Sequence, residues 1–298
     1  MTDQPSPLFD QHFETHRLNT DGAEIFVRTG GEGPPLLMLH GYPQTHAMWH
    51  AIVPRLAEQF TVVLADLRGY GDSSKPESDA SHSTYSKRAM ARDMVTVMDK
   101  LGFENFRLVG HDRGARVTHR LLLDHPHRVM KACVMDIVPT LHMFDTTDQA
   151  FATGYYHWFF LIQPNGLPEG LIGRDPDWYL KMKMGNWSAG GAKFDPRAVD
   201  EYLRCFRNPD TIHASCEDYR AAAGVDLRHD RQDRNRRIGC PLLVMTGNKG
   251  FIHNHYDVLN VWQDYADNVT AAAIDSGHYL PEENPQQTLQ HLLPFLNN

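Results

Sequence analysis

Short apolar runs recur along the chain and are separated by longer amphipathic stretches. Residues 23–28 (AEIFVR), 36–39, 61–65 (TVVLA), 106–109 (FRLV), 132–135 (ACVM), 242–245 (LLVM) and 269–274 are rich in Val, Ile, Leu or Ala and bounded by turn residues. Runs this short and this apolar predict strands covered on both faces, as in a parallel sheet. Helical patterns lie between them. Residues 86–101 place Met90, Met94, Val97, Met98 and Leu101 on one face, residues 115–124 follow a glycine, and residues 286–296 form the last pattern. Strands alternating with helices predict an α/β fold, a mostly parallel sheet with helices on both sides.

The alternation stops between residues 139 and 226. That stretch has no clear strand and is rich in aromatics, among them Phe144, Phe151, Tyr155, Tyr156, Trp158, Trp178, Trp187 and Tyr219. Pro and Gly interrupt it often. It predicts short helices inserted as a cap, leaving residues 1–138 and 227–298 as one core domain. Residues 228–237 (RHDRQDRNRR) read as a solvated helix or loop.

Composition narrows the function classes. A chain of 298 residues, 41% hydrophobic and 22% charged, can bury a core without disulfides or metals. Its 29 basic and 37 acidic residues give a net charge of −8. That balance excludes a nucleic-acid binder, which needs a basic face, and at long range it disfavours anions. Cys133, Cys205, Cys216 and Cys240 form no CxxC pair and read as free thiols. No apolar run reaches membrane-spanning length and the polar start carries no signal peptide, so a cytoplasmic location is expected. His253 and His255 lack a third ligand at a supporting spacing, so no metal is expected. Asp66–Ser73 is glycine-rich but lacks the GK[ST] ending of a phosphate loop, and reads as a structural turn at the sheet edge.

The most informative residues are Gly110-His111-Asp112-Arg113-Gly114, between the strand FRLV and a helix. This is the strand–turn–helix setting of a nucleophile elbow, with Asp112 where Ser usually stands. A carboxylate there attacks a saturated carbon and forms an ester on the enzyme. A helix N-terminus beside it favours the anion. His278, in a loop after the last strand, is the expected general base. Asp136, at the end of the strand after the elbow helix, is the expected acid that orients it, with Asp257 as the alternative. The HG-x-P turn His40-Gly41-Tyr42-Pro43 and the elbow would supply the backbone N–H groups of Tyr42 and Arg113 as an oxyanion hole.

Together these residues resemble the α/β-hydrolases with an Asp nucleophile: haloalkane dehalogenases, epoxide hydrolases and haloacetate dehalogenases. The resemblance covers nearly the whole chain, cap included. The fluoroacetate dehalogenase branch fits best, through Arg113 and Arg116 beside the nucleophile, the His157-Trp158 pair, and Tyr219. Haloalkane dehalogenases and epoxide hydrolases usually carry Trp at the position of Arg113. The resemblance implies a dehalogenase of short 2-haloacids, fluoroacetate to glycolate being the expected case. It implies no cofactor and a homodimer. The alternative is an epoxide hydrolase with the same Asp112, His278 and Asp136. The chemistry of the residues agrees: two guanidiniums can bind a substrate carboxylate as a fork. His157, Trp158 and Tyr219 can donate hydrogen bonds to a leaving halide. A small-molecule receptor on a catalytically dead hydrolase fold would retain no reason for the Asp112, Asp136 and His278 set.

Overall fold

The computed structural model describes residues 8, 9 and 12–297. The described residues contain one eight-stranded sheet: β1 (Glu14–Asn19), β2 (Glu24–Gly30), β3 (Pro35–Leu39), β4 (Thr61–Ala65), β5 (Phe106–His111), β6 (Val129–Met135), β7 (Leu242–Gly247) and β8 (Val269–Ile274). Their order across the sheet is β1-β2-β4-β3-β5-β6-β7-β8. β2 runs antiparallel to both its neighbours, and the strands from β4 to β8 are mutually parallel. The apolar runs that predict buried strands are the interior ones. β3, β4, β5 and β7 are almost wholly buried, because helices cover both faces of a parallel sheet.

Two strands depart from the sequence pattern. β1 reads ETHRLN and is mostly exposed, so its polar sequence gives no strand signal; it is an antiparallel edge. β8 is the opposite edge and leaves Thr270, Ala271 and Ala273 exposed, not covered as expected. The turn Asp66–Ser73 is structural, but it follows β4 in the interior of the sheet. There the buried Asp66 carboxylate accepts the backbone N–H groups of His46 at 2.7 Å and Asp72 at 2.9 Å.

The predicted helices form at Lys87–Lys100, Arg113–Asp124 and Pro285–Asn297. Between β6 and β7 the described residues form helices and no strand. These include Thr140–Asp145, His157–Phe160, Pro176–Trp187, Pro196–Phe206 and Pro209–Ala221, and the last continues through a wide π-type turn into Leu227–Gln232. The charged run at 228–237 is therefore helical at its start, and it is not simply solvated. Asp230 and Asp233 accept from Arg120 of the helix Arg113–Asp124 at 3.1 and 2.6 Å.

The sheet order gathers the chemistry. His40-Gly41-Tyr42 follows β3, Asp112 follows β5, Asp136 follows β6, and His278 lies four residues past the end of β8. All four leave the carboxyl ends of parallel strands, the edge where open α/β sheets place their ligands.

Candidate active site

Asp112 sits at φ 43°, ψ −110°, a region that residues with a side chain rarely occupy. The elbow needs glycine on both sides. A Cβ at Gly110 would lie 2.4 Å from Thr118 Oγ1, and one at Gly114 would lie 2.3 Å from the Leu39 carbonyl oxygen. Without a Cβ at Gly114 the elbow closes on the end of β3, and without one at Gly110 the following helix closes on β5. The carboxylate is 5% exposed, and its Oδ2 accepts the Tyr42 backbone N–H at 3.0 Å. Burial works to raise its pKa. The charges of His278, Arg113, Arg116 and His111 outweigh burial and hold it below the usual carboxylate value. Asp112 is therefore a buried anion.

Asp136 and His278 meet. His278 Nδ1 lies 2.6 Å from Asp136 Oδ2, and Asp136 Oδ1 accepts from Gly247 N at 3.2 Å. Asp257 is not involved; it caps the helix Val258–Gln263 through Asn260 N. His278 Nε2 is buried without a hydrogen-bond partner among the described residues. Burial lowers the pKa of this imidazole, but the Asp136 hydrogen bond and charge, then Asp112 and Glu283, bring the net shift upward. The loop is fixed by Glu283, whose carboxylate accepts from Gly277 N, Tyr279 N and Ala189 N at 2.9, 2.9 and 2.7 Å. His278 N donates to the Trp187 carbonyl at 2.8 Å. Neither Glu283 nor Trp187 stands out as a site residue in the sequence.

Arg113 and Arg116 are both buried, but they are not equally free. Arg113 Nε and Nη2 each donate to an Asp218 carboxylate oxygen at 2.8 Å. Asp218 also accepts from Tyr70 Oη at 2.7 Å and from Lys87 Nζ. One edge of the Arg113 fork is thus occupied by the protein. Nη1 of Arg113 remains, buried and without a hydrogen-bond partner among the described residues. Arg116 donates to the Val138 carbonyl at 3.1 Å and Thr140 Oγ1 at 3.0 Å, while its Nε has no such partner. Burial and the neighbouring Arg113 bring its pKa down to about 10, so it stays protonated near neutrality.

Two helices between β6 and β7 bring His157, Trp158 and Tyr219 to the same place. The Arg113 guanidinium lies 4.1 Å from the Tyr219 ring centroid and that of Arg116 lies 4.5 Å from Trp158. The His157 and Tyr219 ring centroids are 5.6 Å apart. His157 Nδ1, Trp158 Nε1 and Tyr219 Oη are all buried without a hydrogen-bond partner among the described residues. Burial, then the charges of Lys183 and Arg113, push the His157 pKa well below its ordinary value, so its imidazole is neutral.

Residues 34–285 match the family model described as the alpha/beta hydrolase fold. The chain belongs to the α/β-hydrolase family. This α/β hydrolase is 44% identical to a fluoroacetate dehalogenase from Burkholderia sp over 96% of its own length and 94% of the relative's. Among solved structures it resembles the α/β-hydrolase structure ALR0039 from Nostoc sp PCC 7120, with 56% identity, a TM-score of 0.95 and coverage of 96% and 98% of the two chains. It also resembles a mutant of a Pseudomonas aeruginosa protein described as an epoxide hydrolase and solved with bound MFA. That likeness has 47% identity, a TM-score of 0.91 and coverage of 96% of each chain. Among the described residues, no group of three or more His, Cys, Asp or Glu side chains could hold a metal ion. None of their helices is long and apolar enough to cross a membrane.

Proposed function

We propose that this α/β hydrolase is a dehalogenase of short 2-haloacids, with residues 139–226 acting as its cap. The observation that carries the reading is the set of buried polar atoms around the ionised Asp112. Arg113 Nη1, Arg116 Nε, His157 Nδ1, Trp158 Nε1 and Tyr219 Oη have no hydrogen-bond partner among the described residues. Buried polar groups are ordinarily satisfied. Buried cationic nitrogens close to buried neutral donors suit a substrate with a carboxylate at one end and a halogen at the other.

In this mechanism Arg113 and Arg116 bind the substrate carboxylate and offset its repulsion from Asp112. An Asp112 oxygen attacks the α-carbon, a carbon–oxygen bond forms, and the halide leaves with the bonding electrons toward His157, Trp158 and Tyr219. His278 then takes a proton from water as the water adds to the Asp112 ester carbonyl. The Tyr42 N–H, already on Asp112 Oδ2, and the Arg113 N–H stabilise the resulting oxyanion; such a donor is typically worth about 2.7–4 kcal/mol. The acyl carbon–oxygen bond breaks, and the 2-hydroxy acid departs with a proton returned through His278.

The alternative is epoxide opening by the same Asp112, with Tyr219 protonating the epoxide oxygen. The description of the Pseudomonas aeruginosa relative as an epoxide hydrolase favours it; two arginines beside the nucleophile oppose it, since a neutral epoxide gives them no partner. Halide release from fluoroacetate, chloroacetate and 2-halopropionate, assayed beside diol formation from a neutral epoxide, separates the two. The dehalogenase reading expects halide from at least one haloacid and little diol. Diol without halide would overturn it.

A further inference from the structure

Lys183 lies in the cap helix Pro176–Trp187, outside the machinery described above. It is 1% exposed, and its Nζ has no hydrogen-bond partner among the described residues. A lysine stem is normally long enough to carry its amine to water, so full burial here is a definite placement. The amine stands 3.9 Å from the Tyr156 ring centroid, 4.8 Å from that of Trp187 and 5.8 Å from that of Tyr179. Aromatic faces hold a cation, but they leave its three N–H donors without an acceptor. Burial alone brings its pKa down to about 7, and an adjacent anion would favour its protonated form.

The rings around this amine connect two sides of the cap. Inward, Trp187 also packs 4.5 Å from the His157 ring and 5.3 Å from His278. The Lys183 charge is among the influences on His157. Outward, Tyr156, Tyr179 and Met182 line a groove of about 370 Å³, where Tyr156 is 40% exposed. Lys183 therefore lies between the donors assigned to the leaving halide and the outer face of the cap.

We propose that Lys183 forms a second, transient anion site, through which the released halide passes from His157, Trp158 and Tyr219 to the outer groove. This rests on the dehalogenase reading above. A halide freed against the buried donors of His157, Trp158 and Tyr219 is held by groups that have no other hydrogen-bond partner among the described residues, and product release often limits turnover. A lone ammonium partly engaged by aromatic rings offers an intermediate stop, favourable enough to enter and weak enough to leave. Ion pathways work on the same balance.

The test uses bromide as the probe, with Lys183→Met and Lys183→Arg. Crystals of the wild type in bromide should show anomalous density both at His157, Trp158 and Tyr219 and beside Lys183 Nζ. Lys183→Met should keep the inner density and lose the outer. Its steady-state halide release from chloroacetate should fall about tenfold, with a smaller decrease in first-turnover ester formation measured by rapid quench. Lys183→Arg should restore most of the rate. Absence of bromide beside Lys183 in the wild type, or wild-type turnover in Lys183→Met, overturns the proposal. A wild-type protein that releases no halide from any haloacid overturns the dehalogenase reading itself, and does so before any variant is made.

Discussion

A buried carboxylate that is to attack carbon must stay an anion, and the surroundings of Asp112 keep it one. Burial opposes ionisation there, while His278, Arg113 and Arg116 favour it. The same charges couple the two steps of the proposed reaction. While Asp112 is charged it helps to raise the His278 pKa above the ordinary value. Once Asp112 is esterified that contribution vanishes, so His278 loses its proton more readily when a base is needed. Ester hydrolysis, followed in a single turnover, should slow as pH falls through the His278 pKa of the ester. In free enzyme the same imidazole, titrated by NMR, should ionise at a higher pH. Equal values would separate Asp112 from His278 energetically. Replacing His278 with Ala should spare ester formation and stall hydrolysis, so that intact mass increases on mixing with substrate. Replacing Arg116 with Met should raise KM by a factor corresponding to about 2–5 kcal/mol. A lysine there should restore little of that loss, because a point charge does not reproduce a planar fork.

At the scale of elements, one helix joins the two ends of the proposed substrate. Pro209–Ala221 carries Tyr219, assigned above to the proposed halide site, and, one residue earlier, Asp218, which pairs with Arg113. Asp218 is wholly buried, and its pKa is held far below the usual range by Arg113 and Lys87 against the cost of burial. Asp218→Asn keeps the shape and removes the charge. It should raise KM for a haloacid about ten- to a hundredfold, as expected for weakening a buried charge contact, with a much smaller change in kcat. A fall in kcat at unchanged KM would place Asp218 in the chemistry instead. This pairing was not legible in the sequence, because Arg113 and Asp218 are 105 residues apart and a buried ion pair leaves no local pattern. The elbow was legible, because glycine at 110 and 114 is a local steric requirement. The helices between β6 and β7 have locally encoded starts: Asp175, Asp195 and Asn208 each cap a helix whose first residue is proline. β1 was not legible, since an exposed antiparallel edge needs no apolar alternation.

For the molecule as a whole, the charge of −8 describes the far field and says little about the site, where Arg113 and Arg116 are buried together with Asp112. Stability carries its own signature of a buried acid. Glu282 accepts from Tyr202 Oη at 2.9 Å and from Gln44 Nε2, and burial pushes its pKa up to about 8. The folded state therefore holds this proton more tightly than the unfolded chain. The stability it contributes is full below the ordinary glutamate value and is lost as pH rises toward about 8. Glu282→Gln should raise Tm more at about pH 8.5 than at about pH 6. An equal shift at both would show that Glu282 does not titrate in that window. The central claim concerns Asp112, and isotopic oxygen tests it directly. In one turnover in heavy-oxygen water with enzyme in excess, the covalent route predicts a hydroxy acid without label, its new oxygen drawn from Asp112, and a heavy oxygen left in the Asp112 carboxylate. Label in that first product would contradict it.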